Sequence, residues 1–440
     1  MLTVDTNRQS SDCDGQTRRD FLKVGGLGMG ALGLPSLLAA RAEAAQKGQP
    51  IKDTSVVWLW LGGGPTHVET FNPNMTAPVE YRSVTGELKT NLPGYSIGGN
   101  FEKMARISDK MAYVHSFAHN DSGHGSGTHF VMTGYSNRNL DNGGLPTRPS
   151  IGSITARTRG ANHPQTGMPT YVSLNRISSD GPAFLGTPYA PFGTNNQARS
   201  NMKLGTPMER LADRRSLLQG FDRFQRGADQ SGLMEGLDAF ESQAFNLVLG
   251  KAPQAFDLAK EDPRTVARYE GPNRNTQSLG RQMLVARRLC EAGCGFVTMH
   301  YGGWDMHGNI KRSMDSRGPA VDHAVASFVE DIYQRGLDKR ILLVVSGEFG
   351  RTPKINRSAG RDHWGPLCTL ALSGGGMNMG QVIGESDDKA YRPATKPITP
   401  QDLMATLFGH LGIDRKLQFF NQSGRPVNMI EKGSPIAELA

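Results

Sequence analysis

Histidines and acids recur in this chain directly behind runs of apolar residues, inside turns built from glycine. After residues 55–61 the chain enters Gly62-Gly63-Gly64-Pro65 and then supplies Thr66, His67 and Glu69. After residues 295–300 it supplies Trp304, Asp305, His307 and Asn309, and after 341–345 it supplies Ser346 and Glu348. Arg361-Asp362-His363-Trp364 adds another imidazole beside an acid. These are the side chains that ligate divalent cations such as zinc, manganese or calcium. Each has a plain alternative when taken alone: Glu348 as a loop carboxylate, His307 as a hydrogen-bonded loop histidine. Their recurrence in glycine turns after apolar runs makes a metal or anion site the sharper reading.

A second concentration runs from His119 through Asn120, Asp121, Ser122, Gly123, His124, Gly125, Ser126, Gly127, Thr128 and His129 to Thr133-Gly134. Its glycines let backbone approach a ligand, and Ser126 or Thr128 is placed to cap a helix running through Phe130 and Met132. The start of such a helix favours an oxyanion; the alternative is a capped, solvated turn rimmed by histidines. Arg351 and Arg361 are candidate anion clamps, with structural ion pairs equally open to them.

The elements that must hold these loops read as α/β. Apolar runs at 55–61, 111–115, 169–174, 295–300, 341–345 and 367–372 have the near-continuous character of strands buried on both faces of a parallel sheet. Helical spacing of apolar residues appears at 277–291, 322–333 and 400–411, the last with Thr399 as N-cap. Alternating strands and helices predict a largely parallel sheet flanked by helices, with ligands bound beyond the strands' carboxyl ends. Residues 175–275 break the pattern: a Gly-, Pro-, Ser- and Asn-rich stretch precedes charged helical periodicity at 207–249, which reads as an insertion or cap.

The first 45 residues stand apart. Thr17-Arg18-Arg19-Asp20-Phe21-Leu22-Lys23 precedes a Gly/Ala/Leu stretch ending in Ala42-Glu43-Ala44, the form of a twin-arginine export signal. The stretch is short and broken by glycines and Pro35, so a membrane anchor fits it less well. The expected partner is the twin-arginine machinery, the expected location periplasmic or extracellular, and no stable membrane span is expected after cleavage of 1–45. Within residues 1–45, five basic residues offset five acidic ones, so the net charge of +8 belongs to residues 46–440. That surplus suits an anionic partner, but no basic run interleaved with aromatics points to nucleic acid. Gly and Pro number 54 and 25 without a repeat period, which excludes collagen, and 37% hydrophobic residues exclude a disordered chain. Cys290 and Cys294 lack CxxC spacing and sit among apolar neighbours, so they read as core thiols.

Taken together, Leu61-Gly-Gly-Gly-Pro-Thr-His-Val-Glu-Thr-Phe-Asn-Pro73, His124 to Gly134, Gly303-Trp-Asp-Met-His307, Glu348-Phe-Gly-Arg-Thr-Pro353 and Gly360-Arg-Asp-His-Trp364 resemble the DUF1501 family. The resemblance covers roughly residues 53–428 and places the chain in the alkaline phosphatase/sulfatase-like superfamily. It implies an alkaline-phosphatase-like sandwich and a metal-dependent hydrolase of phosphate or sulfate esters, acting on an anionic small-molecule or polysaccharide ester. By the same resemblance Asp305, His307 and His363 are ligands of one metal and Glu348 serves a second, with His67 and Glu69 standing in for the usual acid after the first strand. His124, Ser126 or Thr128 lies near the transferred group. The chain departs from the superfamily's pattern: Gly62–Gly64 follows the first strand, Phe349 follows Glu348, and His124 falls at the nucleophile's interval before Thr133-Gly134. Those departures favour the alternative expectation, a non-catalytic binding or scaffold protein retaining the fold.

Overall fold

The structure is a computed structural model that describes residues 52–194 and 252–440. The expected export signal at 1–45 and the 207–249 periodicity lie outside the described residues. Fourteen strands are described: β1 (Ser55–Trp60), β2 (Glu87–Lys89), β3 (Ser96–Gly98), β4 (Ala112–Val114), β5 (Tyr171–Ser173), β6 (Phe192–Gly193), β7 (Phe296–His300), β8 (Ile341–Ser346), β9 (Gly350–Arg351), β10 (His363–Trp364), β11 (Leu370–Gly374), β12 (Gln381–Ile383), β13 (Gln418–Phe420) and β14 (Pro426–Asn428). Eight α-helices join them: α1 (Glu102–Arg106), α2 (His124–Thr133), α3 (Ile151–Arg159), α4 (Ala252–Phe256), α5 (Pro263–Tyr269), α6 (Arg274–Glu291), α7 (Ile310–Gln334) and α8 (Pro400–Leu411).

Eight strands form the main sheet in the order β12-β4-β11-β8-β1-β7-β5-β6. Every neighbouring pair is parallel except those made by β11, which runs against both β8 and β4. Each apolar run expected as a strand lies in this sheet. Strand β1 is central and all six of its residues are buried, which explains why Ser55-Val-Val-Trp-Leu-Trp60 shows no polar alternation. Val57, Leu59 and Leu61 pack into one cluster with Met104 of α1, Leu279 and Met283 of α6, and Val321 and Phe328 of α7. On the other face α3 contacts β5 and β7, and α8 contacts β1 and α2. The sandwich of helices around a largely parallel sheet is therefore the architecture.

Helix α8 starts as expected, with Thr399 in a reciprocal capping box with Asp402 and Pro400 in the first turn. Helix α7 is longer than its apolar spacing suggested. Its first turns bury little beyond Ile310 and Met314, and Pro319 interrupts the pattern. Cys290, Cys294 and Cys368 are buried free thiols, and burial pushes Cys290 and Cys368 up to about 12, as core residues rather than ligands. Among the described residues no helix is long and apolar enough to cross a membrane.

Two buried imidazoles link the fold to pH. His67 and His410 use Nε2 on the carbonyls of Ala390 and Ser55, and burial lowers them from 6.5 to about 3 and about 4, against the pull of those hydrogen bonds. The unfolded chain takes up protons that the folded chain refuses between pH 6.5 and about 4, so stability is present above 6.5 and is lost as pH falls. Urea unfolding should lose on the order of 1–2 kcal/mol per ring between about pH 7 and about pH 5, and His410→Gln should flatten that slope.

Candidate metal centre

The sheet's topology explains why four separate loops meet. The chain leaving β1, β7, β8 and β4 emerges at the carboxyl edge of the sheet, and β11, being reversed, brings the loop before it to the same edge. The ribbon of β9 and β10 pairs His363 with Arg351 and Trp364 with Gly350, which fixes His363 against the loop that follows β8.

Close backbone lacing holds the turns. Leu61 N–H donates to Ser346 O at 2.8 Å and Trp304 N–H to Gly62 O at 3.1 Å. Gly63 has φ +115°, and a Cβ on it would lie 2.4 Å from the Asp305 nitrogen, so the position tolerates only glycine. Its N–H donates to Glu348 Oε1 at 2.8 Å. Arg351, fully buried, donates from Nε to Gly64 O and from Nη1 to Arg361 O at 2.9 Å each, and its Nη2 reaches both Gly63 O and the Asp305 carboxylate.

Three imidazoles surround Asp305, and each has its Nδ1 held by an acceptor. His124 Nδ1 donates to Glu348 Oε1 at 2.8 Å, His307 Nδ1 to Asp362 Oδ1 at 2.9 Å, and His363 Nδ1 to the Ser122 carbonyl at 2.9 Å. In the neutral rings this places the proton on Nδ1 and the lone pair on Nε2. Those atoms face the carboxylate: His307 and His363 lie 3.0 and 3.1 Å from Asp305 Oδ1, and His124 lies 3.4 Å from Oδ2. His307 Nε2 and His363 Nε2 are themselves 3.1 Å apart. Ligand atoms of His124, Asp305 and His363 all fall within 4.8 Å of one another. Lone pairs converging at these distances repel unless a proton or a cation lies among them, and outer acceptors fixing the ring tautomer are the hallmark of metal-ligating histidine.

The charges agree with a cation. Asp305, Glu348 and Asp362 bring three carboxylates against the one guanidinium of Arg351, and Glu348 Oε2 is buried without a hydrogen-bond partner. Partial burial works to raise the Asp305 carboxyl, but the hydrogen bond and the charge of Arg351 outweigh it and hold it well below the usual carboxylate range. The Glu348 hydrogen bond raises His124 despite partial burial, whereas His363 is lowered by burial and by Arg351 despite Asp305. Phe349 is the dry floor, its ring centroid 5.1 Å from His124 and 4.5 Å from His363. His124, Asp305 and His307 are each nearly half exposed, so the cluster opens to solvent. The donors of His124, Asp305 and His363, with His307 Nε2 3.0 Å from Asp305, are of the kind that suits a divalent cation.

The family model described as "Protein of unknown function (DUF1501)" matches residues 53–440. Comparison with curated proteins finds no similar sequence. Among solved structures, the chain is similar to a sulfatase from Pseudoalteromonas sp. at 12% identity and TM-score 0.40, covering 86% of this chain and 70% of that one. It is also similar to a phosphonate monoester hydrolase from Silicibacter pomeroyi, at 11% identity, TM-score 0.39, and 84% and 76% coverage. A lipoteichoic acid synthase from Listeria monocytogenes matches at 10% identity, TM-score 0.34, and 89% and 80% coverage. Likenesses of this strength say nothing about chemistry.

Several expected site residues are elsewhere. Glu69 is fully buried and receives Arg361 Nε at 2.9 Å and Nη2 at 2.7 Å, while Thr66 Oγ1 donates to it at 2.6 Å. Arg361 gives its remaining donors to the carbonyls of Arg82, Thr352 and Pro353, so it has nothing left for an anion. His67 is buried beside Cys368 and Leu370, outside the cluster. The expected caps also differ. Thr128 Oγ1 donates to His124 O at 2.6 Å and Ser126 Oγ to Gly123 O at 3.5 Å, so both hydroxyls turn back on the helix. Asp141 Oδ1 instead accepts from Gly125 N–H at 2.9 Å and Ser126 N–H at 3.1 Å, placing an internal carboxylate where an oxyanion was expected. Sequence reasoning missed Asp141, which carries no periodic or motif signal, and left Asp362 without a role although it stands in the Arg361–His363 motif. Glu69→Ala leaves Arg361 buried with no charge partner. It should cost ~3–5 kcal/mol in urea unfolding, while metal content per folded chain stays at the wild-type level.

Proposed function

We propose, from the premise that the chain belongs to the DUF1501 family across residues 53–440, that it is an exported, metal-dependent hydrolase of phosphate or sulfate esters. The observation that carries this reading is the convergence of three Nε2 lone pairs on Asp305, each ring fixed from behind through Nδ1. Asp305, His307 and His363 would hold the divalent cation; when bound, it supplies positive charge to polarise the ester's non-bridging oxygens. Asp362 and the Ser122 carbonyl orient two of the rings, and Arg351 holds the Asp305 carboxylate in place. His124, backed by Glu348, stands across Oδ2 from the other two imidazoles and serves the reacting group. Export follows from the Arg18-Arg19 motif and would engage the twin-arginine machinery, releasing the protein to the periplasm or beyond.

A second reading, a non-catalytic protein that keeps this fold, is favoured by one observation. Asp141 occupies the start of α2, and the hydroxyls of Ser126 and Thr128 are engaged with carbonyls. Metal analysis of the purified mature chain separates the two, together with assays on aryl phosphate and aryl sulfate esters. We expect about one divalent cation per chain, weakened about 10–100-fold or lost in Asp305→Ala and His363→Ala, with turnover of one ester class. Clearly substoichiometric metal together with no turnover would leave only the scaffold reading.

A further inference from the structure

We propose that Arg317 forms a second anion subsite beside the Asp305 cluster, so that the esters this protein acts on carry a second anionic group; the inference rests on the hydrolase reading above. Arg317 lies two turns into α7, and its side chain folds back over the loop that follows β7. Its Nη1 donates to Gly302 O at 2.8 Å. A Cβ on Gly303 would lie 2.1 Å from Cζ, 2.2 Å from Nη2 and 2.6 Å from Nε, so the guanidinium rests against bare backbone that only glycine, here at φ +91°, can supply. That leaves the Nε–Nη2 edge, a pair of donors able to grip a carboxylate or phosphate through two parallel hydrogen bonds. Among the described residues no carbonyl or carboxylate meets that edge, and Arg317 makes no ion pair.

The surroundings do not neutralise this charge. Tyr301 stands beside the guanidinium, with its ring centroid 5.8 Å from Cζ. The phenol hydroxyl is buried and has no acceptor, and burial pushes it up against the pull of the Arg317 charge, so it stays neutral. The buried guanidiniums of Arg351 and Arg361 are matched, by Asp305 and Glu69. Arg317 is half-buried and unmatched, although arginines that leave water are as a rule paired. Its position suits the far end of a substrate. Gly303 and Asp305 are both exposed, with Trp304 buried between them. Two residues span at most about 7 Å, so a group held at Asp305 and a group held at Arg317 fall within one small ester. The fork favours esters whose non-transferred part ends in an anion, because a neutral part leaves its donors unmet.

The test uses the metal-replete mature chain and two aryl esters that differ by one carboxylate, phenyl phosphate and 4-carboxyphenyl phosphate, or the matching sulfates where sulfate is the class turned over. The wild-type chain should prefer the carboxylated ester by about 10–100-fold in kcat/KM. Arg317→Met should erase that preference by raising KM for the carboxylated ester, with its kcat, the phenyl ester's constants and the metal content unchanged. Arg317→Lys should restore only part of the preference, because an ammonium lacks the fork. No preference in the wild-type chain, or an equal loss on both esters in Arg317→Met, overturns the subsite and leaves the hydrolase reading intact. No turnover of either ester by the metal-replete protein overturns both.

Discussion

The buried guanidinium of Arg351 is the constraint on which the rest of this edge depends. It is fully enclosed, and it is tolerated there because its donors meet the carbonyls of Gly63, Gly64 and Arg361 and the carboxylate of Asp305. Those acceptors come from three different loops, behind β1, behind β7 and ahead of β11. One planar cation thus sets the spacing of turns far apart in sequence, and its rigid fork explains why lysine could not replace it. The glycines around it are the complement of that arrangement. They let carbonyl oxygens crowd a single group, and at Gly63 they let the chain pass directly against Asp305.

How much of this was legible in the sequence follows from what each residue needs to declare itself. Strands buried on both faces announce themselves as unbroken apolar runs, so the main sheet could be read. The acids and histidines behind those runs could be read for the same reason, since the carboxyl edge of a parallel sheet is where they must emerge. Glu69 and Glu348 look alike at that level, each an acid just past a strand. What separates them is a partner: Arg361 reaches Glu69 across 292 positions, and no local pattern encodes that distance. Ser122 contributes a carbonyl, which its side chain cannot advertise, and Asp141 caps a helix that begins earlier in the chain than it does. The short strands β6, β9 and β10 are two residues each, below the length at which alternation has meaning.

Global and local charge also point in opposite directions. The chain carries a net charge of +8, yet the cluster around Asp305 gathers more carboxylate than guanidinium. Long-range attraction of an anion would be weak and screened by salt, whereas the charges within a few ångströms act at low local dielectric. The surface surplus therefore does little to decide what enters the cleft.

The carboxylate of Asp141 gives that imbalance a temporal meaning. Because it already neutralises the positive end of α2, the cleft lacks the ready-made anion cradle that a free helix start would offer, and what remains is acidic. On the function proposed above, an anionic ester approaching this edge would be repelled until a divalent cation was seated against Asp305. The two ligands would thus enter in a compulsory order, cation before anion, and the protein's responsiveness to its substrate would be gated by the availability of the metal.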